Sequence, residues 1–197
     1  MLRRTFLGER GAMLVLLVLG VLLGAARAQK ESVLYNFCSQ SECVDGASPY
    51  AGVVFDQKGN LYGTTSGGGI VYNHYCPYEQ GCGVVFKLTP KGKETVLYSF
   101  CPQNCADGYF PVAGLTVDQN GNLYGTTAGG GIRYVGVVFK LTPKGKETVL
   151  YSFCAQTNCA DGANPYAGLV LDQKGNLYGT TYFGGAYESG TAFKLTP

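Results

Sequence analysis

The octapeptide Gly83-Val-Val-Phe-Lys-Leu-Thr-Pro90 returns at Gly136 to Pro143 and, as Gly190-Thr-Ala-Phe-Lys-Leu-Thr-Pro197, a third time in a chain of 197 residues. Val84, Phe86 and Leu88 fall on one side of this run, and Val85, Lys87 and Thr89 on the other. That period of two belongs to a strand with one better-buried face. Outward from it, Pro90-Lys-Gly92 and Pro143-Lys-Gly145 read as proline-initiated turns. They lead into Thr95 to Phe100 and Thr148 to Phe153, which have a counterpart in Ser32-Val-Leu-Tyr-Asn-Phe37. Upstream lies Gly59-Asn-Leu-Tyr-Gly-Thr-Thr65, matched at Gly121 to Thr127 and Gly175 to Thr181. Before that comes Ala51-Gly-Val-Val-Phe-Asp56, matched at Ala113 to Asp118 and Ala167 to Asp172.

The four phrases recur in fixed order through three cycles of roughly fifty residues, the mark of a repeat architecture. All are short, rich in Val, Leu, Tyr, Phe and Thr, and bounded by Gly, Pro, Asn or Asp, so all are expected as strands. Asp56-Gln-Lys-Gly59-Asn60 places glycine where a short hairpin needs positive φ. An up-and-down meander of four strands per unit follows, the form of a propeller blade. The expected fold is all-β, a β-propeller-like array of three four-stranded units (about 32–90, 95–143 and 148–197) with little helix. Taken from the second phrase onward, the first unit is preceded by a lone last strand, Ser32 to Phe37, able to complete the last blade. Closed propellers need about four to eight blades, so either two chains share a six-bladed ring or the array stays open with an exposed edge.

Residues 1–28 read as a secretory signal. Arg3, Arg4 and Arg10 supply the positive region, Met13 to Leu23 the apolar run, and Ala26-Arg27-Ala28 the cleavage site. The apolar run is short of the roughly 20 residues of a spanning helix, so no stable membrane span is expected after processing. Four arginines and Glu9 give the signal a charge of +3, which takes the whole-chain +2 to −1 for residues 29–197, a single domain. So weak a charge lacks the basic field that binds phosphates, which argues against nucleic acid as a partner.

The eight cysteines fall into four close pairs: Cys38 with Cys43, Cys76 with Cys82, Cys101 with Cys105, and Cys154 with Cys159. Three pairs recur at one place in the repeat, which favours local disulfides in an exported protein. The rival reading, metal thiolates, needs two pairs brought together or histidine ligands, and His74 is the one histidine.

The phrases LYGTT, GG, VFKLTP, ETVLYSF, DG and PYAG resemble the GloVer tandem repeat of bacterial choice-of-anchor surface and secreted proteins. The resemblance covers nearly all of residues 29–197. It implies a propeller-like extracellular array with no established activity. The family's sorting anchor is not found up to Pro197, which favours a secreted or periplasmic protein.

Chemistry is sparse in this pattern. Asp45, Asp107 and Asp161 before glycine, and Asp56, Asp118 and Asp172 in the hairpin turns, read as turn formers before they read as calcium ligands. No nucleophile elbow or His-Glu-x-x-His helix is present, so no catalytic residue, metal or cofactor is assigned. Tyr72, Tyr75, Tyr134, Tyr182 and Tyr187 lie in the links between the Leu-Tyr-Gly-Thr-Thr phrase and the octapeptide and are expected to crowd one rim, together with His74. The first of these links is longest and holds the extra Cys76–Cys82 pair. Rigid aromatic rims suit sugars or a surface protein as partners. The expected function is a non-catalytic binding or structural module, with a carbohydrate-active or lactonase-like propeller enzyme as the alternative.

Overall fold

In the computed structural model, which describes residues 29–70, 76, 81–102 and 104–197, the repeated phrases become eleven antiparallel strands in three sheets. The first sheet is β1 (Val54–Phe55), β2 (Leu61–Thr65), β3 (Val84–Leu88) and β4 (Glu94–Ser99), side by side in chain order. The second repeats it as β5 (Thr116–Val117), β6 (Leu123–Thr127), β7 (Val137–Leu141) and β8 (Glu147–Ser152). The third has β9 (Val170–Leu171), β10 (Leu177–Thr181) and β11 (Thr191–Leu195). Helix among the described residues is confined to two three-residue 3-10 turns, Ser41–Cys43 and Thr157–Cys159, inside cysteine loops.

The octapeptide supplies the best-buried strands. Val84, Val85, Val137 and Val138 are fully buried, and Phe139 and Leu141 with them. Each sheet is knitted to the next by aromatic rings. Phe100, just past β4, meets Phe139 of β7 edge-on at 5.1 Å, and Phe153, just past β8, meets Phe193 of β11 at 5.0 Å. Such crossings add to plain area burial. A threonine bond repeats the link: Thr64 donates to the Ala113 carbonyl at 3.0 Å, and Thr126 to that of Ala167 at 3.2 Å.

Glycine within the second strand has a steric cause. A Cβ at Gly63, Gly125 or Gly179 would lie 2.6 Å from the ring of Phe86, Phe139 or Phe193 on the neighbouring strand. On the inner side β5 and β9 approach one another, and a Cβ on Gly168 would stand 3.2 Å from the Gly114 carbonyl.

As the phase of the repeat requires, β8 of the third unit (148–197) joins the second sheet, and the last sheet has three strands. One expectation is corrected. The phrase expected as a lone strand at Ser32 to Phe37 forms none, and it does not complete the last sheet. Residues 33–37 lie instead on the first sheet, where Phe37 meets Phe86 edge-on at 4.8 Å, as Phe100 meets Phe139. The segment thus sits as the fourth strand of an earlier sheet would, but among the described residues no third strand exchanges hydrogen bonds with it, and a strand needs such a partner.

Candidate functional site: an aromatic rim on stapled loops

Antiparallel pairing sends the β2–β3, β6–β7 and β10–β11 links and the connections after β4 and β8 to one end of the sheets. The cysteine loops are at that end. The four local pairs are disulfides: Cys38–Cys43, Cys76–Cys82, Cys101–Cys105 and Cys154–Cys159. The three recurrent loops hold both of their cysteines at left-handed φ, for instance +58° at Cys38 and +51° at Cys43. Side chains rarely adopt that conformation unless their surroundings over-determine it. Here the bridge and an aspartate both act. Asp45 accepts hydrogen bonds from the Ser39 amide (2.9 Å), the Gln40 amide (3.3 Å) and the Tyr35 hydroxyl (2.7 Å). Asp161 repeats this with Ala155, Gln156 and Tyr151, and Asp107 with Cys101 and Tyr98.

These contacts set the acidities. Burial pushes the Asp45 and Asp161 carboxyls up, but their hydrogen bonds outweigh it and leave both below the usual range. At Asp107, with bonds only from the Tyr98 hydroxyl and the Cys101 amide, burial prevails and the carboxyl is raised. Burial and the bonded aspartate raise the Tyr151 hydroxyl to about 12.

Of the expected rim residues, Tyr72, His74 and Tyr75 lie outside the described residues. Tyr134 and Tyr182 are exposed at the cysteine-loop end, and Tyr187 is 91 % exposed. Tyr182 is in a ring cluster, meeting Tyr166 edge-on at 5.6 Å and Phe183 at 4.5 Å. The hydroxyl of half-buried Tyr109 is raised by burial and by the nearby hydroxyls of Tyr134 and Tyr166. Among the described residues Tyr187 makes no ring contact with the cluster. Tyr109, Tyr166 and Phe183 were not singled out in the sequence. Tyr166 belongs to the repeated Pro-Tyr-Ala-Gly phrase, and that pairing of proline with an aromatic ring at a loop corner was the available signal.

The sulfur atoms of Cys76, Cys82 and Cys101 lie within 4.8 Å of one another, so two pairs do come together, though as neighbouring disulfides. The opposite end is built from the hairpin turns. Asp56 accepts from the Lys58 amide (2.8 Å), the Asn60 amide (2.9 Å), the Asn60 side chain (2.7 Å) and the Tyr62 hydroxyl (3.0 Å). The Asn60 side chain is the main reason why that carboxyl is held down at about 2. Asp118 and Asp172 repeat the turn. Carboxylates saturated in this way hold their own turns and offer a cation little. Between two such turns a groove of about 620 Å³ is lined by Phe55, Tyr62, Lys87, Leu97 and Val117, with the Lys87 ammonium 5.7 Å from the Tyr62 ring centre.

The chain matches the Gloeobacter/Verrucomicrobia repeat over residues 20–197. It belongs to that repeat family. No curated protein matches it. Among solved structures, a protein described as a candidate gluconolactonase is 18 % identical, with a TM-score of 0.40. That likeness covers 74 % of this chain and 47 % of the other, so the chain spans about half of that structure's length. Among the described residues no helix is long and apolar enough to cross a membrane, which says nothing of strands.

Proposed function

We propose that this member of the Gloeobacter/Verrucomicrobia repeat family is a non-catalytic extracytoplasmic binding module, its three sheets standing as propeller-like blades that present an aromatic rim to glycans. The observation that carries this reading is the ring cluster of Tyr166, Tyr182 and Phe183, with Tyr109 and Tyr134 near it, on loops fixed by disulfides and hydrogen-bonded aspartates. Planar faces on a rigid support bind at low entropic cost, and tyrosine adds a hydroxyl for sugar hydroxyls. Export accords with the signal-like residues 1–28 and with four disulfides, which persist in oxidising compartments.

A lactonase-like activity asks for acids free at the centre. The innermost strands β1, β5 and β9 bring only Asp56, Asp118 and Asp172, each spent on its own turn. That engagement favours the binding reading.

The test is calorimetric titration of the oxidised chain with neutral and acidic oligosaccharides. Tyr166→Ala and Tyr134→Ala should each weaken the best ligand by on the order of tenfold, as loss of an aromatic anchor does, with near-UV circular dichroism unchanged. Absence of binding across the whole series would sink the glycan reading.

A further inference from the structure

The third sheet ends differently from the other two. β3 and β7 are each paired on both sides, whereas β11 is paired, among the described residues, with β10 alone. The cost is visible in exposure. Val85 and Val138 are fully buried, but Ala192, at the same place in β11, is exposed. Thr64 and Thr126 are 2 % and 1 % exposed under their bonds to the next sheet, and their counterpart Thr180 is exposed.

The first sheet carries the complementary face. Val53 is 43 % exposed, against 6 % for Leu115 and Leu169 at the same position in the second and third repeats. Val33, Leu34, Tyr50 and Phe55 are exposed around it. Residues 33–37 already hold the conformation of a fourth strand's end. The Tyr35 and Phe37 rings cross at 5.2 Å, as do Tyr98 with Phe100 and Tyr151 with Phe153. The hydroxyl of Tyr35 reaches Asp45 at 2.7 Å, as that of Tyr98 reaches Asp107 at 2.8 Å. Exposed apolar side chains at one flank and an unpaired strand edge at the other mark interaction sites.

We propose that the occupant of the β11 edge is a second copy of this chain, whose residues 33–37 add to it as a fourth strand. The internal interfaces prescribe the register. In the first two sheets Val84 pairs with Ser99, Val85 with Tyr98 and Phe86 with Val96, with a bulge between the last two pairs, and β7 and β8 repeat this. Carried over, Thr191 faces the partner's Asn36, Ala192 the partner's Tyr35, and Phe193 the partner's Val33. The Phe37 amide of the added segment meets the Gly190 carbonyl, as Phe100 meets that of Gly83 at 3.0 Å and Phe153 that of Gly136 at 3.1 Å. Alongside, Thr180 gains the partner's Ala51 carbonyl. The contact is head-to-tail, so it closes only if rotation brings the copies round. Two chains of three sheets would make six, inside the range of roughly four to eight blades at which propellers close. Closure at two chains rests on the propeller reading above; strand addition does not.

The experiment is light scattering on a sizing column with oxidised chain from Gln29 to Pro197, as a dilution series, beside Ala192→Lys and Thr180→Lys. Both replaced side chains are exposed in the single copy, so the variants should fold, with melting of the dilute protein as the check. A doubled mass that falls to the single mass in both variants is the expected result. Mass that grows past two copies and collapses in the variants sustains strand addition but overturns closure at six sheets. A single mass throughout the series, or a dimer that survives Ala192→Lys, overturns the proposal.

Discussion

Glu94 and Glu147 head β4 and β8, and in each the Oε1 atom is buried without a hydrogen-bond partner. Burial pushes both carboxyls up to about 7, helped by the charge of Asp45 beside Glu94 and of Asp107 beside Glu147. A carboxyl raised in the folded state binds its proton more tightly than in the unfolded chain, so ionising it costs stability. Its contribution is whole below the ordinary value of 4.5 and is lost as pH rises through about 7. Asp56 and Asp172 have the opposite sign. Held at about 2, they stabilise above 3.8 and lose that effect only as pH falls through 2. The two windows do not overlap. We therefore expect the denaturant midpoint to fall between pH 5 and 8 (a span set by the glutamates), and Glu94→Gln with Glu147→Gln to flatten that slope and raise the midpoint at the alkaline end. Measured by urea titration with the disulfides intact, an unchanged slope in the double variant would assign the pH dependence elsewhere.

The strands depend on shape as much as on pattern. Gly125 is in β6, where a Cβ would come within 2.6 Å of the Phe139 ring and 2.9 Å of Leu115. Gly114, on the inner connection, has only ordinary contacts at 3.7 and 3.9 Å. Gly125→Ala should cost about 1–3 kcal/mol of unfolding free energy by overpacking, and Gly114→Ala should stay within about 0.5 kcal/mol. Equal costs would mean that backbone freedom, rather than the ring, explains the glycine. This level is also where the sequence was most legible. Alternation in Val84–Leu88 marked β3, the Asp-x-x-Gly-Asn turns marked the hairpins, and three-fold recurrence paired the cysteines locally. Two things escaped. Ser32 to Phe37 reads as a strand by composition, but pairing is non-local and no partner strand lies beside residues 33–37 among the described residues. The rim draws Tyr109, Tyr134, Tyr166 and Tyr182 from four separate loops, and only folding brings those together.

Across the whole molecule, the stapling does less than the sheet order. Each recurrent disulfide closes a loop of only a few residues, which constrains the unfolded chain by about 2 kcal/mol in the chain-entropy account. The bridges therefore shape loops, and cohesion comes from sheets packed in series. In such an array the middle member has neighbours on both flanks and should open last. The second sheet is that member, with Val137, Val138, Phe139 and Leu141 of β7 fully buried, whereas β11 has one bare edge. Amide hydrogen exchange in dilute protein should accordingly be slowest in β6 and β7, and faster in β11 and residues 33–37 by on the order of tenfold or more. Raising the concentration should slow β11 and residues 33–37 together, because the same hydrogen bonds protect both, and leave β7 where it was. In Ala192→Lys that joint slowing should vanish. If β11 proves as protected as β7 at every dilution, its edge is covered within a single chain, and sheet order alone does not set the stability gradient.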